Sequence, residues 1–364
     1  MSDVVAGLEV NQGAFLSLWP ERAAPAILGA MYEVWATTPN FDTDCNPPAA
    51  EGEIIVAEMI RKLVKLPEEY SYAKGGLGKM QPNRGEALIL AYHASLYALT
   101  GEKDQSKLAV IGVSAQSPQS RPLRLHNCVN FFSLPINPTL TDIDEAVNLA
   151  SSKSLIPHFL YLEFTAFPPV DLFSTLATSH SSLTVFLDLS ALGLHVVEMP
   201  ALKAPLPRWI YINIGPSLGI PVAAGILYFP ERESLSNTVI LPVQEYLEVC
   251  VSTPVDPSKT AAPFVSHDYN IGFGNMVPWA RLYFSLLYHG RSGLQSILSS
   301  HTSTLKTMES ILTPIVPTLT LYPNILTIST KSSTQTTLYA PVHWREEYKE
   351  KLIETIHRLN AQTD

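Results

Sequence analysis

The sequence predicts an α/β fold: a mostly parallel central sheet with helices on both faces, followed by a small α+β C-terminal unit. Three observations carry this expectation. Short, continuously apolar runs recur along the chain, the pattern of strands buried on both faces. Stretches with helical spacing separate several of these runs, and strand–helix alternation implies parallel pairing. Charged residues make up only 16% of the 364 residues, below the usual quarter or so, while 46% are hydrophobic, so much of the chain must be buried.

In chain order, residues 51–66 place Ile54, Ile55, Met59, Ile60, Leu63 and Val64 at the spacing of a helix with one buried face. Residues 85–99 read as a nearly all-apolar helix. The runs 108–113, 159–164, 183–189, 209–214 and 223–229 read as buried strands, with helices over 142–152 and 170–178 among them. From residue 279 a long helical region is expected to about residue 312. Short strands over 319–322 and 325–329 and a last amphipathic helix over 346–360 follow. The organisation this implies is an N-terminal segment 1–45, a large domain 46–275 and a small C-terminal domain 276–364. Ligands of such sheets sit at the carboxyl ends of the strands.

Bulk properties exclude several classes. The net charge is −9 and no basic cluster is present, which argues against a nucleic-acid partner. No apolar stretch reaches the roughly 18 residues of a membrane span, and residues 1–13 lack a basic-then-apolar leader pattern. Cys45, Cys128 and Cys250 are odd in number and far apart, which suggests buried, reduced thiols in a cytoplasmic protein. Ser-His-Asp, zinc-ligand and P-loop signatures are absent.

Several segments, in order, carry a family resemblance. They are Pro25–Gly29; Asn46-Pro-Pro-Ala-Ala-Glu-Gly-Glu53; Gly76-Leu-Gly-Lys-Met-Gln-Pro-Asn-Arg-Gly-Glu-Ala87; Val185-Phe-Leu-Asp188; Asp268–Gly274 with Arg281-Leu-Tyr283; and Tyr288-His-Gly-Arg-Ser-Gly-Leu-Gln295. Together they resemble the group II pyridoxal-phosphate decarboxylases, the aromatic amino acid and glutamate decarboxylase family, collinearly from about Phe15 to Ser329. The resemblance implies the type I aminotransferase-like (PLP-transferase) fold. It also implies a homodimer, because this family builds its active site at the subunit interface.

What the resemblance implies about the cofactor is loss. Pyridoxal phosphate is held at rest as a Schiff base on a lysine. In the family that lysine lies in an Asn-Pro-His-Lys-Trp segment. Here Asn213 and Pro216 match, but the lysine position falls at Leu218 or, with a one-residue shift, Ser217. No lysine occurs between Lys203 and Lys259. The ring-stacking histidine is replaced at Pro118, and the phosphate loop carries Gln81, Pro82, Asn83 and Arg84 in place of small hydroxyl residues. Proline also removes an amide donor. No cofactor is therefore expected.

Asp188 remains where the family's aspartate pairs with the pyridine nitrogen, and Tyr246 lies near its mobile-loop tyrosine. Asp188 reads either as a ligand-facing carboxylate or as a cap for a nearby amide. Tyr246 reads as a proton donor or an ordinary half-buried tyrosine, and His126 as an acid–base group or a packed histidine. Arg84 either binds a substrate carboxylate or faces solvent. His195 and His289 read as packed or surface histidines. Glu51, Glu53 and Glu86 read as helix-start carboxylates.

The expected site is thus Asp188, Tyr246 and His126 as catalytic groups, with Arg84, Asn83, Gln81, Leu218, Ser217 and Pro118 lining it. The expected function is pyridoxal-phosphate-independent acid–base chemistry on a small-molecule ligand in the old pocket. The alternatives are a non-catalytic binding partner and residual cofactor-dependent chemistry.

Overall fold

The computed structural model describes residues 15–17, 24–35, 47–98, 105–113, 123, 130–202, 205–220, 224–231, 279–316, 318–321, 325–329, 335–339, 349–350, 352–354 and 356–357. Pro118, His126 and Tyr246 lie outside the described residues.

The first strand, β1 (Phe15–Ser17), belongs to a small sheet. Helices α1 (Ala24–Trp35) and α2 (Pro47–Leu63) follow. The central sheet has seven strands: β2 (Leu77–Gln81), β3 (Leu108–Val113), β4 (Asn130–Leu134), β5 (Ile156–Glu163), β6 (Thr184–Asp188), β7 (Trp209–Asn213) and β8 (Gly225–Phe229). Their spatial order is β2-β8-β7-β6-β5-β3-β4. The pairs from β4 through β7 are parallel, and β8 and β2 add an antiparallel edge.

Side-chain alternation along each strand builds two cores. On β5, Leu160 and Leu162 face one core while Phe159 and Tyr161 face the other. On β6, Leu187 faces the first and Phe186 the second. Helices α2, α4 (Leu140–Ser152) and α5 (Leu172–Ser179) pack on the first face, and α3 (Arg84–Ala98) contributes Ala87, Leu88, Leu90 and Ala91 to the second. Helix α6 (Trp279–Leu312) packs Leu282, Leu286, Leu294, Ile297 and Leu298 onto the first core. It kinks at Gly290, whose positive φ of 55° suits a residue without a Cβ. Strands β9 (Thr318–Leu321), β10 (Ile325–Ser329) and β11 (Gln335–Tyr339) complete the small sheet, ordered β1-β11-β10-β9. No helix among the described residues is long and apolar enough to cross a membrane.

Two local expectations change, for the phosphate-loop-like segment and for Glu53. The phosphate-loop-like segment forms edge strand β2 up to Gln81 and starts α3 at Arg84. Pro25–Gly29 lies within helix α1, packed against α6. Glu53 is a fully buried residue within α2, where its carboxylate receives Lys79 Nζ at 2.6 Å and the Met80 amide at 2.9 Å. Met80 is on an edge strand, so the carboxylate satisfies a backbone donor that has no neighbouring strand on that side among the described residues.

Candidate functional site

The site begins with two adjacent strands. β5 and β6 are parallel and in register, with Glu163 opposite Asp188 at their carboxyl ends. Both follow apolar runs that bury the strands, and both face the side covered by α3, since Glu163 shares a face with Tyr161 and Asp188 with Phe186. Two carboxylates are thereby fixed side by side in a buried place, 0% and 4% exposed for Asp188 and Glu163. Two bare carboxylates so close would repel strongly, so a cation or a proton must accompany them.

The cation is Arg84, the first residue of α3. Its Nη1 donates to Asp188 Oδ2 at 3.1 Å and to Glu163 Oε1 at 3.1 Å, and lies 3.5 Å from Ser190 Oγ. The helix start is held separately. Asn83 Oδ1 accepts the Glu86 amide at 2.9 Å, and Asn83 Nδ2 donates to Glu86 Oε1 at 2.9 Å, a reciprocal cap. Arg84 projects from this helix start across the strand ends.

The two oxygens of Asp188 do different work. Oδ1 accepts the Ser190 amide at 2.9 Å, the loop-capping role; Oδ2 receives Arg84 and the Tyr161 hydroxyl at 3.1 Å each. The amide-cap reading of Asp188 therefore holds for Oδ1, while Oδ2 is taken up by two protein donors. The Tyr161 hydroxyl also lies 3.4 Å from Glu163 Oε2. Burial raises the Glu163 carboxyl above the usual range; Arg84 opposes this and the Asp188 charge reinforces it. Burial likewise pushes the Tyr161 and Tyr211 phenols up, so both stay protonated donors. Tyr211 leans over β8 at Gly225, where a Cβ would collide with its hydroxyl. Glu86 is raised by burial, and its Oε2 has no hydrogen-bond partner among the described residues.

Of the other candidates, Gln81 is buried at the end of β2, opposite Gly225. Ser217 Oγ accepts the Leu194 amide at 3.1 Å, bracing the 3-10 segment Ser190–Glu198. Leu218 is 1% exposed and belongs to the first core together with Ile214 and Ile220. Arg84 turns inward onto protein carboxylates and not to open solvent. His195 is buried with Nδ1 3.0 Å from Glu198 Oε2, and is not among the partners of Asp188. Glu163 and Tyr161 were not singled out from the sequence. The available signal was a second apolar strand ending in a carboxylate, since in-register parallel neighbours set such ends side by side.

Lys79 is the other lysine to consider near this face. It is fully buried and tied to Glu53, and burial lowers its pKa against the opposing pull of that carboxylate.

No protein-family model matches the chain. Among curated proteins, phenylacetaldehyde synthase of Petunia hybrida is 32% identical over 114 residues, which is 30% of this chain and 22% of that protein. The chain thus matches only about a fifth of that relative's length. Among solved structures, the Catharanthus roseus tryptophan decarboxylase in complex with L-tryptophan aligns with a TM-score of 0.74 at 14% identity. That alignment covers 96% of this chain and 83% of that one. The Rhodiola rosea 4-hydroxyphenylacetaldehyde synthase aligns at 0.72 and 14% identity, covering 96% and 83%. At such identities the likeness establishes the fold, and that fold is the type I fold of the pyridoxal-phosphate decarboxylases.

Proposed function

We propose that this chain is a decarboxylase-fold protein that has given up pyridoxal phosphate, and that its old cofactor pocket performs acid–base chemistry on a small molecule. One observation carries the reading: the Arg84 guanidinium lies 3.1 Å from Asp188 and 3.1 Å from Glu163. The aspartate that would hold a protonated ring nitrogen already has a cation of its own. The other residues fit the cofactor no better. Leu218 is committed to the core, Lys79 to Glu53, and Pro82 adds no amide to the segment before α3.

What remains suits proton transfer. Glu163 holds its proton more tightly than an ordinary carboxyl, and Asp188 beside it accepts hydrogen bonds from Arg84, Tyr161 and the Ser190 amide. Neighbouring carboxyls with different environments can divide the acid and base roles. Cyclisation, condensation and dehydration are the reaction classes that need no more than this. Catalytic contributions from His126 and Tyr246 remain part of the proposal, as does a homodimer. Exposed Ile27, Leu28 and Met31 on α1 provide apolar surface for such pairing.

A second reading, a non-catalytic binding partner, is favoured by Leu218, whose burial fills the lysine position with core. The two readings separate by metabolite profiling of cells with and without the protein, then with Asp188→Asn and Glu163→Gln. A product that disappears in both variants supports the enzyme; no product with the wild type supports the binding partner. The loss of cofactor is tested by incubating pure protein with pyridoxal phosphate. The expected result is no hydroxylamine-sensitive visible absorbance and no borohydride-trapped adduct by mass spectrometry. A yellow protein that hydroxylamine bleaches would sink the reading.

A further inference from the structure

We propose that the crevice between the β4–α4 and β5–α5 loops binds a small, uncharged, mainly apolar molecule. The crevice lies at the carboxyl edge of the parallel strands, where ligands of such sheets sit. Its volume of about 430 Å³ falls within the range of roughly 300–1,000 Å³ for small-molecule pockets. It lies back to back with the carboxylate cluster. Phe164 lines it from the side of the first core, while Glu163, one residue earlier, turns to Arg84 on the α3 side. The proposal therefore goes beyond the acid–base reading and does not depend on it.

The walls are held in place before any ligand arrives. Asn137 has a left-handed backbone with φ of 55°, which asparagine tolerates better than most residues. Its amide donates to the Glu163 carbonyl at 3.1 Å. Its Oδ1 accepts the Thr165 amide at 2.8 Å and the Ala166 amide at 3.3 Å, and its Nδ2 donates to Thr165 Oγ1 at 2.8 Å. One residue thus ties the two loops together. A pocket formed in advance spares a ligand the cost of ordering it.

The lining gives the class of ligand. Pro138, Leu140, Phe164, Phe167, Pro169 and Leu172 make most of it apolar. Phe167 is still 39% exposed, so an apolar ligand gains by covering it. The polar side chains beside them are engaged with the protein itself. Asn137 joins the loops, Thr139 caps α4 reciprocally with Asp142, and Thr175 Oγ1 donates to the Asp171 carbonyl at 2.9 Å. A charged ligand would give up water here for few hydrogen bonds in return. Asp171 brings the only formal charge in the lining, and that charge is negative.

Two fluorophores with the same aromatic core test this: neutral N-phenyl-1-naphthylamine and its sulfonated counterpart 8-anilinonaphthalene-1-sulfonate. Each is titrated into the wild type and into Ala166→Phe, which fills the crevice, with folding checked by urea unfolding. The expected result is saturable one-to-one binding of the neutral probe to the wild type, at least about tenfold tighter than the sulfonate. Ala166→Phe should weaken the neutral probe at least about tenfold. Ala177→Phe, in the separate crevice lined by Phe173 and Pro205, and Met31→Ser, on the exposed face of α1, should leave it unchanged. Should Ala166→Phe fail to fold, Phe167→Ser removes an exposed apolar part of the wall and should weaken the neutral probe too. No saturable binding, equal affinity for the two probes, or equal binding by the wild type and the crevice variant overturns the proposal. So does binding lost in Ala177→Phe or Met31→Ser, which would put the probe elsewhere.

Discussion

Two ionic contacts lie on the α3 side of the central sheet, and they are built differently. Lys79–Glu53 matches one cation to one carboxylate at 2.6 Å, with both side chains wholly buried. The Arg84 cluster sets one guanidinium against two carboxylates, with its cation about a quarter exposed. The first also spends its second carboxylate oxygen on the Met80 amide, so nothing is left for a ligand. The second sets two carboxylates against one guanidinium, and burial, reinforced by the Asp188 charge, raises Glu163. A closed, matched pair is what an edge strand needs for stability. The Arg84 cluster instead lies at the carboxyl edge of the parallel strands, the place where ligands of such sheets sit.

The comparison breaks most clearly at Lys79–Glu53. Glu53→Gln leaves a buried ammonium without its anion and should cost about 3–5 kcal/mol, read as a fall in the urea midpoint at unchanged slope. Glu53→Leu/Lys79→Met should recover most of that loss, because two apolar groups leave no charge stranded. Burial lowers Lys79, so the unfolded chain binds this proton more tightly; stability should rise as pH climbs from the lowered folded value towards the ordinary lysine value. Lys79→Met should abolish that slope. A small loss in Glu53→Gln would make the pair ornamental and end the contrast.

Arg84→Ala comes next, with an expected loss of about 1–3 kcal/mol by chemical unfolding. The cost is smaller because water can reach the vacated place. A loss as large as that of Glu53→Gln would mean that Arg84 is as structural as Lys79.

Glu163 gives a subtler test. Its folded pKa is raised, so the folded chain holds the proton more tightly than the unfolded chain. The stability it contributes is full below the ordinary carboxylate value and is lost as pH rises through the raised folded value. Glu163→Gln cannot titrate and should flatten the stability profile over that window. A profile equally steep in the variant would place the proton on another group of the cluster. The smallest effect is Asn83→Ala, about 1 kcal/mol from the lost cap, read as a small fall in the urea midpoint.

Much of the fold was legible because burial on both faces leaves a local mark. The apolar runs at 108–113 and 209–214 fall on β3 and β7 almost residue for residue, and α3 begins within one residue of its expected start. Edge strand β2 was not legible. Its glycine and lysine do not read as a strand, and it exists because β8 offers an antiparallel edge and Glu53 completes the hydrogen bonding. Glu53 itself looked like a helix-start acid because sequence position shows the first turn but not the partner across 26 residues.

The sequence by itself determined the alternation of buried strands and helices, the carboxylate that ends β6, and the lack of any lysine between Lys203 and Lys259. Each is a matter of local composition or order. Only the tertiary structure decided that Glu163 stands beside Asp188, that Arg84 crosses the strand ends to pair with both, and that Leu218 belongs to the core. Those facts depend on which strands become neighbours and which way a side chain turns, and contacts made across 79 and 104 residues leave no periodicity in the chain that makes them.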